Sequence, residues 1–183
     1  MDIKQICVFC ASSSEINILY IEAATRLGQL LAENNVVCIT GAGNQGLMGA
    51  VNDSVHRHGG KTCGIIPQFM VDSGWLHPEL SEIVVTETMH ERKALMASRA
   101  DAFIVLPGGF GTLEELAEIV TWRQLDLHDK PIIILNINGY YDQLLAFFEK
   151  MIREKFMDER FRKTWQVADT PEEVILALRL CPM

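Results

Sequence analysis

The stretch VVCITGAGNQGLMGA, Val36 to Ala50, is a short apolar run, a turn of glycines and then residues suited to a helix. It contains G-x-G-x-x-G as Gly41, Gly43 and Gly46. This pattern marks a dinucleotide site only in a strand–turn–helix unit with an acidic residue about 20 positions on to hold the ribose. The glycines here follow the second predicted strand, whereas a dinucleotide loop normally follows the first. Downstream stands CGIIPQF, Cys63 to Phe69, with no acid, and Asp72 comes only after Pro67. These features weigh against NAD, leaving a dinucleotide-binding oxidoreductase as a secondary alternative that a nicotinamide cofactor titration would test, while strand–turn–helix remains. Such a turn serves either an anion at the helix start or simply a tight bend.

The same alternation runs outward in both directions. Continuous apolar runs at 3–10, 36–40, 61–66, 102–106 and 131–136 read as buried strands, with short strands at 82–87 and 165–167. Between them, helical spacing predicts helices over 18–34, 47–58, 89–99, 112–127, 140–156 and 171–180, and residues 68–81 read as irregular. Apolar strands alternating with helices define an α/β protein: a Rossmann-like, doubly wound parallel sheet with helices on both faces. The 183 residues show no repeat or linker, which predicts one domain over 1–183. Ligands of such sheets bind beyond the carboxyl ends of the strands. Three segments should meet there: CASS at 10–13, TGAGNQG at 40–46 and LPGGFGT at 106–112.

Hydrophobic residues make up 49% of the chain and charged ones 22%, an ordinary globular composition. A formal net charge of −8 repels a nucleic-acid backbone, so any anionic ligand needs a local cluster of donors. No apolar run reaches the roughly 20 residues that cross a bilayer. MDIKQICVFCASS lacks a basic n-region and reads as the first strand of a cytoplasmic protein. Of the five cysteines, Cys7 and Cys10 form C-x-x-C without a second metal-ligand pair, and on a strand they face opposite sides. They read as buried thiols, with Cys38, Cys63 and Cys181. No metal and no cofactor is required.

LPGGFGTLEE, Leu106 to Glu115, is the sharper glycine loop. Pro107 ends a buried strand, and Gly108, Gly109 and Gly111 let the backbone approach a ligand. The helix that follows offers free N–H groups to an anion. No G-K-[ST] follows, which favours a monophosphate over a triphosphate. Thr112-Leu-Glu-Glu115 can also be a capping box, with Glu115 merely bonding the helix start. Positive charge is at hand in MHERKALMASR, where Arg92, Met96 and Arg99 share a helix face beside Met89 and Lys93; it can equally be a solvated amphipathic helix.

MHERKALM, LPGGFGTLEEL, TWRQLDLHDKP and NGYYDQLL together resemble the LONELY GUY family, cytokinin riboside 5′-monophosphate phosphoribohydrolases often mislabelled as lysine decarboxylases. The resemblance runs from CVFCASS through the helix after NGYYD. It implies hydrolysis of the N-glycosidic bond of a nucleoside 5′-monophosphate such as AMP, with a homodimer as the usual assembly. Arg92 and Lys93 match the family's R-K motif, Arg92 as its catalytic arginine. Glu115 matches the glutamate ending PGGxGTxxE. Gly108, Gly109, Phe110, Gly111 and Thr112 match the phosphate loop, with Leu113 and Glu114 following. GLMG, Gly46 to Gly49, matches the second loop of the nucleotide pocket, which adds Gly43 and Met48 as candidates. Ser12, Met89, Trp122 and the 68–80 loop complete the expected lining. Ala11 and Ala42 stand where the family commonly has glycine, which should narrow the pocket by a methyl each, and Gly74 stands near a position where relatives often carry glutamate.

The chemistry asked of these residues is specific. Breaking an N-glycosidic bond builds positive charge on the ribose, which a carboxylate stabilises, or it activates water, or it attacks the sugar. Glu115 is assigned that place, with Arg92 expected to hold it ionised through a charge-assisted pair. A pyridoxal decarboxylase needs a Schiff-base lysine and a carboxylate for the pyridine nitrogen; Lys93 is the only candidate and no such carboxylate is identifiable. A non-catalytic nucleotide or molybdenum-cofactor binder on the same fold is the competing reading, though a carrier needs the cradle without the acid.

Overall fold

The computed structural model describes residues 3–178. Cys181 and the end of the helix expected at 171–180 lie outside the described residues. The apolar runs form seven strands: β1 Gln5–Phe9, β2 Val37–Thr40, β3 Thr62–Pro67, β4 Glu82–Thr86, β5 Ala102–Val105, β6 Ile132–Leu135 and β7 Gln166–Ala168. They join one sheet in the order β4-β3-β2-β1-β5-β6-β7, and every pairing is parallel. In the central register Ile6 stands opposite Cys38 on one side and Ala102 on the other.

Helices α1 Ile18–Glu33, α2 Gly46–Arg57 and α7 Pro171–Ala177 supply the core on one face. Helices α4 Met89–Arg99, α5 Phe110–Gln124 and α6 Asp142–Arg153 cover the other. Alternation along β1 sends Ile6 and Val8 into the first core, Cys7 and Phe9 into the second. Cys10, just beyond the strand, joins the first, so Cys7 and Cys10 do lie on opposite faces as free thiols. Burying both faces is what continuous apolar strands require.

From β1 the chain winds outward through β4, then crosses to β5 and winds the other way. The reversal falls between β1 and β5, and a crevice opens beyond their carboxyl ends. Helix starts are set locally: Asn17 accepts the Leu19 amide at α1, and Thr88 with Glu91 forms a capping box at α4.

Three differences from the sequence reading bear on the site. Residues 68–81 are not wholly irregular: α3 spans Gln68–Asp72, and Leu76 forms an antiparallel bridge with Gly43. Helix α6 begins at Asp142 because a 3-10 turn at Ile137–Gly139, with positive φ at Asn138 and Gly139, occupies the preceding residues. Helix α5 begins at Phe110, ahead of Thr112.

Candidate active site

A cavity of about 490 Å³ lies over the carboxyl ends of β1, β2 and β5. The three segments expected there do meet: Ser12 and Ser13 after β1, Gly41 and Gly43 after β2, Gly109 and Gly111 after β5. Arg92 reaches it from α4, and Thr112, Glu114 and Glu115 from the first turns of α5.

The α5 junction leaves backbone donors open at its start. Gly109 is the N-cap and makes no side-chain cap bond. Leu113 is the first residue of this helix to bond back, to the Gly109 carbonyl at 3.1 Å. The amides of residues 110–112 therefore have no backbone partner among the described residues, and they stand at the positive end of a 15-residue helix. Thr112 lies inside the helix, so the capping-box reading of Thr112 and Glu115 does not hold. Glu115 is free of that duty.

The Glu115 side chain is partly buried at the cavity wall. Burial raises its pKa from the usual 4.5 to about 7, with Arg92 pulling it down and Glu114 pushing it up. Arg92 is 6% exposed, and its guanidinium is anchored by carbonyls: Nε donates to Ile65 O at 3.0 Å and Nη2 to Gly41 O at 3.4 Å. No direct Arg92–Glu115 ion pair forms among the described residues. The expected charge-assisted bond does not form; Arg92 acts on Glu115 through space and lowers its pKa against the larger rise that burial causes.

Lys93 turns away. Successive helical residues point about 100° apart, so the neighbour of Arg92 faces α5 instead of the cavity. Its ammonium bonds Glu114 and Glu118, the latter at 3.1 Å. Burial pulls the Lys93 pKa down, but the two glutamates outweigh it and leave it raised. Of the other expected binding residues, Ser12, Gly43, Met48, Met89 and Glu114 line the cavity, while Gly46, Gly108, Phe110 and Leu113 do not. Phe110 is 91% exposed. Trp122 packs against the second core. Ala42 is fully buried with φ +64°, and its methyl lies against Gly64; it narrows nothing in the cavity, whereas Ala11 does line it.

Met70 and Trp75, within the 68–80 loop expected to line the pocket, complete an apolar wall with Ile66, Met48 and Met89. They arrive through the Gly43–Leu76 bridge, reinforced by the Asn44 amide on Trp75 O at 3.2 Å and the His77 amide on Ala42 O at 2.8 Å. The one advance signal was a Trp in a segment otherwise rich in turn residues.

Fold and site together define an α/β protein with a cavity at a strand–helix junction, where open backbone amides stand beside a titratable carboxyl. The same fold occurs in a molybdenum cofactor binding protein from Rippkaea orientalis, with a TM-score of 0.74 at 23% identity over 98% of this chain and 97% of that one. It occurs again in the molybdenum cofactor carrier protein of Chlamydomonas reinhardtii, with a TM-score of 0.75 at 18% identity and 97% of each chain covered. Sequence similarity is much higher elsewhere. A cytokinin riboside 5′-monophosphate phosphoribohydrolase of Arabidopsis thaliana is 43% identical over 96% of this chain and 77% of its own. A probable enzyme of that name from Oryza sativa subsp. japonica is 43% identical over 96% of this chain and 71% of its own. A family model described as possible lysine decarboxylase matches residues 48–178. The chain belongs to this family, the LONELY GUY phosphoribohydrolases.

Proposed function

We propose that the protein hydrolyses the N-glycosidic bond of a nucleoside 5′-monophosphate, AMP or a cytokinin riboside 5′-monophosphate, to free base and ribose 5-phosphate. The observation that carries the reading is the juxtaposition of the unpartnered amides of Gly111 and Thr112 with the Glu115 carboxyl on one cavity wall. The amides bind the 5′-phosphate, and that remote binding energy sets the anomeric carbon against Glu115. As the carbon–nitrogen bond breaks, its electron pair leaves with the base and the ribosyl ring becomes cationic. The ionised Glu115 stabilises that charge and accepts a proton from the water that adds to the anomeric carbon. The departing base takes up a proton from solvent, and Glu115 gives the proton it gained from the water back to solvent, so that one water is consumed in all. Arg92, fixed by two carbonyls, favours the ionised state of Glu115 and presents its remaining N–H groups to the substrate.

The apolar wall of Ile66, Met70, Trp75 and Met89 supports a base carrying an N6-alkyl tail as well as plain adenine. Four free, buried cysteines among the described residues fit a reducing, cytoplasmic setting. A homodimer through the α4 and α5 faces is consistent with Leu125 at 64% and Leu127 at 67% exposure just past α5. Lysine decarboxylation does not fit these residues: the Lys93 ammonium faces two glutamates instead of the cavity, and its raised pKa opposes Schiff-base formation.

The test is direct. Purified protein incubated with AMP, its N6-isopentenyl derivative and the matching nucleosides should release free base from the monophosphates and little from the nucleosides. Absence of free base from every monophosphate would leave the cradle as a carrier's.

A further inference from the structure

Three successive carbonyls lead into the α5 junction, and each is held. The Tyr141 hydroxyl donates to Leu106 O at 2.7 Å, the Ala11 amide to Pro107 O at 3.1 Å, and the Tyr140 hydroxyl to Gly108 O at 2.8 Å. In a planar trans peptide the C=O of one residue and the N–H of the next point in opposite directions. Holding Gly108 O toward Tyr140 therefore turns the Gly109 N–H away from Tyr140, and Gly109 lies on the cavity wall. The Leu106 bond has no such consequence for a ligand, since the nitrogen of that peptide belongs to Pro107 and carries no hydrogen.

The Gly108–Gly109 peptide needs such a restraint. Two adjacent glycines rotate more freely than any other pair, and a flip of their shared peptide exchanges an N–H for a carbonyl oxygen. A carbonyl turned toward the cradle repels a phosphate instead of binding it. We propose that Tyr140 is a positioning residue for phosphate recognition, its hydroxyl locking the Gly108–Gly109 peptide with the N–H on the ligand side. This rests on the reading of residues 108–112 as the phosphate site.

Tyr140 is itself preset. The 3-10 turn at Ile137–Gly139 delivers it, with Asn136 Oδ1 accepting the Tyr141 amide at 2.7 Å and Asn136 Nδ2 donating to Asp142 Oδ1 at 2.8 Å. Its ring sits edge-on to Tyr141 at 4.9 Å and to Tyr20 at 5.8 Å. Yet the residue remains 45% exposed, against 2% for Tyr141. Packing alone requires the ring and not the hydroxyl, so the hydroxyl can be removed without opening the core.

Tyr140→Phe keeps the ring and deletes the bond. Steady-state hydrolysis of AMP should show KM raised about five- to tenfold, the usual scale of one lost hydrogen bond, with kcat within about twofold. Inhibition by ribose 5-phosphate should weaken by the same factor, hydrolysis of adenosine should not change, and the melting temperature should stay near that of wild type. A Tyr140→Phe protein that binds AMP and ribose 5-phosphate as tightly as wild type overturns the role of Tyr140 and leaves the phosphate site standing. A wild type that treats AMP and adenosine alike overturns both.

Discussion

Two glycine-rich junctions stand side by side on the carboxyl edge of the sheet, and they use glycine for opposite purposes. After β2 the glycines are packed. A methyl on Gly46, whose φ is +61°, would lie 2.4 Å from Ser13 O, and one on Gly49 would lie 2.8 Å from Asn44 O. One on Gly41 would overlap the Arg92 guanidinium. Several amides here are already engaged: Met48 N–H with Ala11 O at 3.2 Å, Gly43 N–H with Met48 Sδ at 2.9 Å and Asn44 N–H with Trp75 O at 3.2 Å. After β5 the position is reversed. A methyl on Gly109 or Gly111 would meet nothing within 4 Å, and the first amides of α5 have no backbone partner. Glycine at the first junction lets protein approach protein; at the second it leaves room for something that is not protein.

The largest expected effect falls on Glu115, the carboxyl that only the open junction carries. Glu115→Gln should fold normally and lose at least about a hundredfold in kcat, corresponding to roughly 2.7–4 kcal/mol of transition-state stabilisation. Its stability should move the other way. Because burial raises the native pKa to about 7, the native state keeps a proton that the unfolded chain has released between about pH 4.5 and 7. Wild-type stability is therefore greatest below that window and declines as pH rises through 7. Denaturation of Glu115→Gln should show no such decline, and the variant should be the more stable protein at pH 8. In the free wild-type enzyme kcat/KM should climb through about pH 7 as Glu115 ionises; a flat profile there would count against an ionised carboxylate at the sugar.

Next comes Gly46→Ala, which should cost more than about 2 kcal/mol in urea unfolding, from left-handed strain of roughly 1–2 kcal/mol plus backbone overlap. Gly111→Ala, in the first turn of α5, should leave stability unchanged or raise it by up to about 1 kcal/mol through helix propensity. Its added methyl intrudes on the ligand, and KM for the monophosphate should rise about tenfold. Equal losses of stability at Gly46 and Gly111 would erase the distinction between packed and open junctions.

Much of this was legible in the chain. The runs Ile6 to Phe9, Phe103 to Val105 and Ile132 to Leu135 could only be strands covered on both faces, and the strand order then brings the three polar loops to one edge. Arg92 and Glu115 were found through their motifs, and both do line the cavity. What escaped depends on long-range geometry. No local pattern announces the Gly43–Leu76 bridge that delivers Trp75 and Met70. Thr112 and Glu115 fit a capping box in spacing, yet α5 starts two residues earlier, and the Thr112 hydroxyl lies so close over Gly108 that a methyl there would be 2.1 Å from it. Lys93 looked like a second cation at the site because it adjoins Arg92; helical rotation gives it to Glu114 and Glu118 instead. Ala42 looked like a narrowing methyl, and its positive φ carries that methyl toward Gly64.

A crystal structure of Glu115→Gln soaked with AMP tests the central claim most directly, since the slowed variant should retain intact substrate. The account predicts the 5′-phosphate within about 3 Å of the amides at the start of α5, with the anomeric carbon beside the side chain at 115. A phosphate seated instead on the β2 junction among Gly41, Gly43 and Gly46, or a sugar remote from position 115, would contradict it.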